Sequence, residues 1–201
     1  MSQVDPNNLV WIDMEMTGLD ADIEAIIEIA TIVTDKDLNI LEEGPNLVIH
    51  QPDEILNRMD EWNTRHHTAS GLLEKVRQST LTVAEAEKAT LAFIRKYVPY
   101  KASPLCGNSV GQDRKFMDKY MKELADYLHY RNLDVTSIKE VVRRWYPNGP
   151  KIPKKSDVHL ALIDIRESID ELLFYRENYF VKSVPLELAH KNAETEGDDV
   201  A

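Results

Sequence analysis

The first polar–apolar pattern along the chain is the run Asn8-Leu9-Val10-Trp11-Ile12-Asp13-Met14-Glu15-Met16, apolar apart from two carboxylates after Asn8. Its length and apolar content predict a buried strand over Leu9 to Met16. Two more strands are expected, Ala25 to Thr34 and Leu47 to His50. Asp35-Lys36-Asp37 and Glu42-Glu43-Gly44-Pro45 supply turn residues between and within them. From Asp53 the apolar spacing becomes helical, most clearly over Val83 to Val98, where Thr82 and Glu85 fit a capping box. Pro104 to Asn108 reads as a short strand, Gly111 to Leu128 as a helix, His129 to Val135 as a strand and Ser137 to Trp145 as a helix. Tyr146 to Asp157, with three prolines and a glycine, reads as a loop, and His159 to about Tyr179 as the closing helix. Strands first, then alternating helix and strand, imply an α/β fold, a mixed sheet with helices packed on it.

The two carboxylates of the first strand change the picture most. Side chains alternate along a strand, so Asp13 and Glu15 point to the same face. Burying two ionised carboxylates side by side is prohibitively costly unless a cation compensates them. A pair of divalent metals would do so, with further oxygen ligands from Asp113 and Asp164. The competing reading is an edge strand with solvated acids, and the apolar neighbours Trp11, Ile12, Met14 and Met16 speak against it. Glu28, inside Ile26-Ile27-Glu28-Ile29-Ala30, is read as a strand residue with a solvated or hydrogen-bonded head and no catalytic role.

Gly107-Asn108-Ser109-Val110-Gly111 matches the Gly-x-Ser-x-Gly elbow of serine hydrolases, and Ser109, Asp134 and His159 stand in a triad order. That fold needs a long parallel sheet and an upstream oxyanion loop, which the preceding residues do not offer. The alternative places Asp113 in the first turn of a helix, facing metals. His159 and Asp164, five residues apart, would not share a face of an ideal helix. His159 therefore belongs at the helix start or in the preceding loop, where neutral imidazole could serve as a water-activating base. His66-His67 has no partner at metal-ligand spacing, so zinc is not expected there.

Composition narrows the class. At 201 residues, 43% hydrophobic and 29% charged, the chain fits one soluble globular domain. The single cysteine, Cys106, excludes an internal disulfide framework and fits a reducing compartment. No secretory leader or membrane span is expected, so the reading is cytoplasmic. A net charge of −11 argues against coating long duplex nucleic acid but not against an enzyme acting on a substrate with few phosphates. Residues 189–201 are polar and acidic and read as a disordered tail, and residues 1–7 as a short extension.

With those segments in hand, the chain resembles the DEDDh 3′-to-5′ exonucleases of the ribonuclease-H-like fold and, within them, the oligoribonuclease family. The resemblance covers Leu9 to about Lys182 and implies an exonuclease domain over residues 8–182. It is carried by Trp11 to Leu19, Ile27 to Val33, Trp62 to Leu72, Leu105 to Ser109, His129-Tyr130-Arg131 and Asp164 to Ser168. It implies a mixed five-stranded sheet flanked by helices, and hydrolysis of very short single-stranded RNA, dinucleotides above all, to mononucleotides. Asp13, Glu15, Asp113 and Asp164 match the family's ligands for two Mg²⁺ or Mn²⁺ ions, and His159 its general base. Leu19 and Trp62 match the apolar pair that packs against the bases, and His67 a residue near the substrate backbone. Ser109, Thr136 and Ser137 fall where the family caps the 5′ phosphate, with Tyr130 and Arg131 delivered from the second subunit of a homodimer. Two departures stand out: Asp157-Val158 replaces the small residues expected before His159, and Thr136-Ser137 occurs in swapped order. A broader exonuclease for longer strands, a binding module that kept the fold, and the serine hydrolase are the competing functions.

Overall fold

Strand β1 (Leu9–Met16) is the centre of a five-stranded sheet because it is flanked on both edges and apolar on one whole face. The computed structural model describes residues 4–152 and 160–180. The other strands are β2 (Ile26–Thr34), β3 (Ile40–Val48), β4 (Leu105–Gly107) and β5 (Asn132–Asp134), in the order β3-β2-β1-β4-β5. β1, β2 and β3 run antiparallel in sequence, whereas β4 pairs parallel with β1 and β5 parallel with β4. The expected mixed five-stranded sheet is what forms.

Alternation along β1 sorts its side chains between two helical layers. Val10, Ile12, Met14 and Met16 enter a core with helices α4 (Val83–Ile94), α5 (Gly111–Tyr120) and α6 (Lys122–Tyr127). Trp11 lies on the opposite face, in a core with α7 (Val135–Trp145) and α8 (Ala161–Tyr179). Asp13 and Glu15 continue that second face. Three short helices, α1 (Asp53–Leu56), α2 (Glu61–Ala69) and α3 (Leu72–Gln78), connect β3 to α4. Leu56, Met59, Leu72 and Val76 of this connection pack on Ile27.

The Thr82–Glu85 capping box forms as expected, with both reciprocal hydrogen bonds present. Elsewhere long-range contacts move the boundaries. β3 was expected only from Leu47, yet it begins at Ile40 and includes Gly44-Pro45. Proline is tolerated there because β3 is an edge strand, and the pairing with β2 shifts register between Ala30 and Ile32. Gly44 is required by close approach rather than by a turn: a Cβ there would lie 2.5 Å from the Phe93 ring of α4. The helix expected over Gly111 to Leu128 breaks at Met121 (φ −132°, ψ 61°). Glu87 of α4 makes the break tolerable, its Oε1 accepting from Leu124 N at 3.0 Å in the first turn of α6. The strand expected from His129 starts only at Asn132, and α7 begins two residues early because Asp134 caps Thr136 N at 2.9 Å. Among the described residues no helix is long and apolar enough to cross a membrane.

His159, the last part of the loop expected to end at Asp157, and the tail 189–201 lie outside the described residues. So do the first three residues and residues 181–182 of the expected domain span.

Replacing Gly44 with Ala should destabilise the fold by about 1–3 kcal/mol, the usual range for an added methyl that has no room. Urea unfolding would show a lower midpoint at unchanged slope.

Candidate active site

The short strand β4 creates the site. It pairs with β1 only at Val10 and Trp11, so the β4-side edge of β1 is open beyond that point. The first turn of α5 fills the opening: Asp113, buried, accepts from Met14 N through Oδ1 at 3.0 Å. The next residues of β1's second face are Asp13 and Glu15. α8 crosses that face and brings Asp164 to them, so that one carboxylate oxygen from each of Asp13, Glu15 and Asp164 lies within 4.8 Å of the other two. Asp113 is outside that triplet but beside it, one of its oxygens committed to the β1 backbone.

Electrostatics follow from the crowding. Burial, then the charges of Asp113, Glu15, Asp164 and Glu28, raise the Asp13 carboxyl well above the usual carboxylate range. Burial, then Asp164, Glu28 and Asp113, push Glu15 up to about 8. Burial lifts Asp113 to about 7, against the pull of hydrogen bonds from the Met14 and Asp113 backbone N–H groups. Without a cation, this cluster holds protons that ordinary aspartates and glutamates release by neutral pH. All the donors are hard carboxylate oxygens, which fits Mg²⁺ or Mn²⁺ rather than a thiolate- or imidazole-bound metal.

Glu28 belongs to this neighbourhood, although the sequence suggested no role for it. It stands opposite Glu15 in the β1–β2 register, is 1% exposed, and its Oε2 accepts from Ala161 N at 3.3 Å. Leu160, the N-cap of α8, offers no side-chain cap, so Glu28 supplies one from the sheet. The hydrogen-bonded head expected from sequence is present; the solvated one is not. Burial was readable from its apolar neighbours, whereas its partner is 133 residues away.

The other sequence candidates lie on the turn after β1, on α2, and around β4, β5 and α7. Leu19 is 77% exposed on the turn after β1, and its carbonyl accepts a hydrogen bond from Gln112, which sequence reading passed over. Trp62 on α2 is half exposed and stacks on His66 at 3.7 Å between ring centroids. His67, one residue further on, is buried, with Nε2 3.0 Å from Met16 O at the end of β1. Ser109 follows β4 with a positive φ of 54°. Its N–H is held by Asp134 Oδ1 at 2.9 Å and Thr136 Oγ1 at 3.0 Å. Asp134 thus spends its carboxylate on the backbone of Ser109 and Thr136 rather than orienting a base, as the hydrolase reading would require. Ser137 is exposed in the first turn of α7. Tyr130 and Arg131 precede β5, both exposed, with the guanidinium 5.4 Å from the tyrosine ring centroid.

Comparison with known proteins agrees with this geometry. The exonuclease family that includes RNase T matches residues 10–172. The oligoribonuclease of Acinetobacter baylyi is 57% identical over 183 residues, covering 91% of this chain and all of that protein. The oligoribonuclease of Shewanella oneidensis is 57% identical over 176 residues, covering 88% and 97%. Among solved structures, exonuclease I superimposes with a TM-score of 0.69 at 12% identity, over 86% of this chain and 41% of the other. Escherichia coli exonuclease I bound to a dA16 oligonucleotide gives 0.67 at 13% identity, with the same coverage. Likeness at that identity shows a shared ribonuclease-H-like fold, while the near full-length identity to the curated relatives shows more: this chain belongs to the oligoribonuclease family of exonucleases.

Proposed function

We propose that this chain is a metal-dependent 3′-to-5′ exoribonuclease that hydrolyses short RNA, dinucleotides above all, to mononucleotides. The observation that carries the reading is the convergence of Asp13, Glu15 and Asp164 within 4.8 Å on a partly buried sheet face. Asp113 stands beside them, in a chain 57% identical to oligoribonucleases over nearly its whole length. Asp13, Glu15, Asp113 and Asp164 would hold two divalent cations, Mg²⁺ or Mn²⁺. Bound there, such ions neutralise charge on the phosphate and favour an attacking hydroxide for in-line displacement.

The chain's own residues do the rest. His159, by its family match, accepts the water proton on a ring nitrogen. Leu19 and Trp62, both exposed, would offer apolar surface to the bases, a contact that tolerates any base. His67 fastens α2, which carries Trp62, to the end of β1, and by its family match lies near the substrate backbone. Ser109, Thr136 and Ser137 converge at the start of α7, where hydroxyls and helix N–H groups suit a 5′-terminal phosphate. Tyr130 and Arg131 stand exposed, disposed to complete that cap in the partner of a homodimer. A capped 5′ end limits length because the next nucleotide has no exit. The single buried Cys106 supports a reducing, cytoplasmic setting.

Cleavage of 5′-labelled RNAs of two to seven nucleotides tests the reading. Turnover should be fastest on the dinucleotide, stop with EDTA, and fall at least 1,000-fold, a loss of about 4 kcal/mol of transition-state stabilisation, in Asp13→Ala. Equal cleavage of the seven-mer would sink the capped site. Trp62→Ala should raise KM about ten-fold or more, as expected from loss of one stacking contact, with a smaller effect on kcat.

Metal binding should also be visible in stability. Folding raises the carboxyl pKa values, Glu15 from 4.5 to about 8, so the folded chain binds more protons than the unfolded one across that window. The stability of metal-free protein therefore falls as pH rises from about 4.5 to 8. Thermal unfolding should show Mn²⁺ raising Tm more at pH 8 than at pH 5; an equal increment at both would contradict binding at these acids.

A further inference from the structure

Behind Ser109 runs a polar chain that the metal site does not use. Asn108 Nδ2 donates to Ser168 Oγ at 2.8 Å and to Glu171 Oε2 at 3.2 Å. On its other side Asn108 Oδ1 accepts from Thr136 Oγ1 at 3.1 Å, and Thr136 Oγ1 accepts from Ser109 N at 3.0 Å. Glu171 is fully buried; its Oε1 accepts from the Tyr175 hydroxyl at 2.9 Å and pairs with Lys139 Nζ at 3.1 Å. Ser168 Oγ donates to the carbonyl of Asp164 at 2.8 Å.

The order of donors is forced. A carboxylate paired with an ammonium only accepts, so Asn108 must turn its amide nitrogen toward Glu171. Ser168 spends its single proton on Asp164 O and needs the same nitrogen. Asn108 Oδ1 is then left for Thr136, and Thr136 is left to receive Ser109 N. Asp164, Ser168 and Glu171 lie at i, i+4 and i+7, one stripe of α8. The stripe that carries a metal-site carboxylate is thereby tied, through one amide, to the backbone of Ser109, which is held at positive φ.

We propose that the buried Glu171 and the part-buried Asn108 form a strut of positioning residues that sets the place of the Ser109–Thr136 cap relative to the Asp164 turn, and so sets the preference for dinucleotides over longer RNA. The inference rests on the reading of Ser109 and Thr136 as contacts of the 5′ phosphate.

Glu171→Gln keeps the shape but turns an amide nitrogen toward the amide nitrogen of Asn108. Either that contact breaks or Asn108 turns over and leaves Thr136 without its acceptor. Adding Asn108→Asp restores a donor facing an acceptor and lets Thr136 donate again, while the Ser168 hydroxyl turns from the Asp164 carbonyl to donate to the new carboxylate. The experiment measures kcat and KM on 5′-phosphorylated two-mers and five-mers for the wild type, Ser109→Ala, Glu171→Gln and the Glu171→Gln/Asn108→Asp pair. Mn²⁺ affinity is measured by calorimetry alongside. The expected result is a fall of about ten-fold or more in the two-mer to five-mer ratio of kcat/KM for Glu171→Gln, as for loss of a charged hydrogen bond. It should come mainly through KM on the two-mer, with Mn²⁺ affinity within two-fold of wild type, and most of the ratio should return in the double variant.

A Ser109→Ala protein with an unchanged ratio would refute the cap reading and the strut together. A reduced ratio in Ser109→Ala but not in folded Glu171→Gln would overturn the strut alone. Lower Tm with an intact ratio also overturns it, because that is what a purely structural glutamate would give. If Glu171→Gln does not fold, the double variant decides: a wild-type ratio supports the strut, and a folded double variant with a collapsed ratio overturns it.

Discussion

The interaction on which the rest depends is the mutual repulsion of carboxylates held on one partly buried face of β1. Asp13 and Glu15 sit there with Asp164 within 4.8 Å and Asp113 alongside. In a solvent-poor site such repulsion cannot be screened by water, and it has two remedies, protons or cations. The raised carboxyl groups are the first remedy at work in the metal-free chain. The second is the one a phosphodiesterase exploits, since a charge density that is unfavourable by itself suits a divalent cation. Stability and activity therefore pull against each other at these residues, as expected where a functional site departs from what packing alone would choose.

Holding that cluster in place demands rigidity around it, and the fold supplies it from distant parts of the chain. Glu28 reaches from β2 to cap the start of α8 at Ala161. Asp113 locks the first turn of α5 onto Met14. Each is an acidic side chain made useful by a backbone N–H that secondary structure leaves without a partner. Together they fix the two helices that bring Asp113 and Asp164 to β1. Acid residues thus both form the site and brace it, which explains why so apolar a sheet carries so many of them.

Much of this was legible in the sequence because it depends on local period. The alternation of β1 placed Asp13 and Glu15 on one face, and the Thr82–Glu85 box announced α4. What escaped was whatever depends on a distant partner. Gly44-Pro45 reads as a turn until the Phe93 ring and the free edge of β3 are known. The break at Met121 is invisible without Glu87, and the burial of Glu171 without Lys139, Tyr175 and Asn108. The serine elbow shows the converse, a local motif whose positive φ at Ser109 is real while the surrounding groups serve another purpose.

The likeness to exonuclease I is a likeness of fold alone. Two chains that share 12% of their residues superimpose with a TM-score of 0.69, so the sheet and its helices tolerate nearly complete replacement. A scaffold that permissive does not by itself select a substrate. On the proposed reading, selection falls to groups outside the acid cluster: the exposed Leu19 turn, Trp62 on α2, and the Ser109–Thr136 hydroxyls at the start of α7. Of these, the last is tied through part-buried hydrogen bonds to the helix that carries Asp164. A length limit needs a fixed distance between the end that is held and the bond that is cut. Solvated loops fix distances poorly, whereas an amide wedged between a buried carboxylate and a threonine fixes them well.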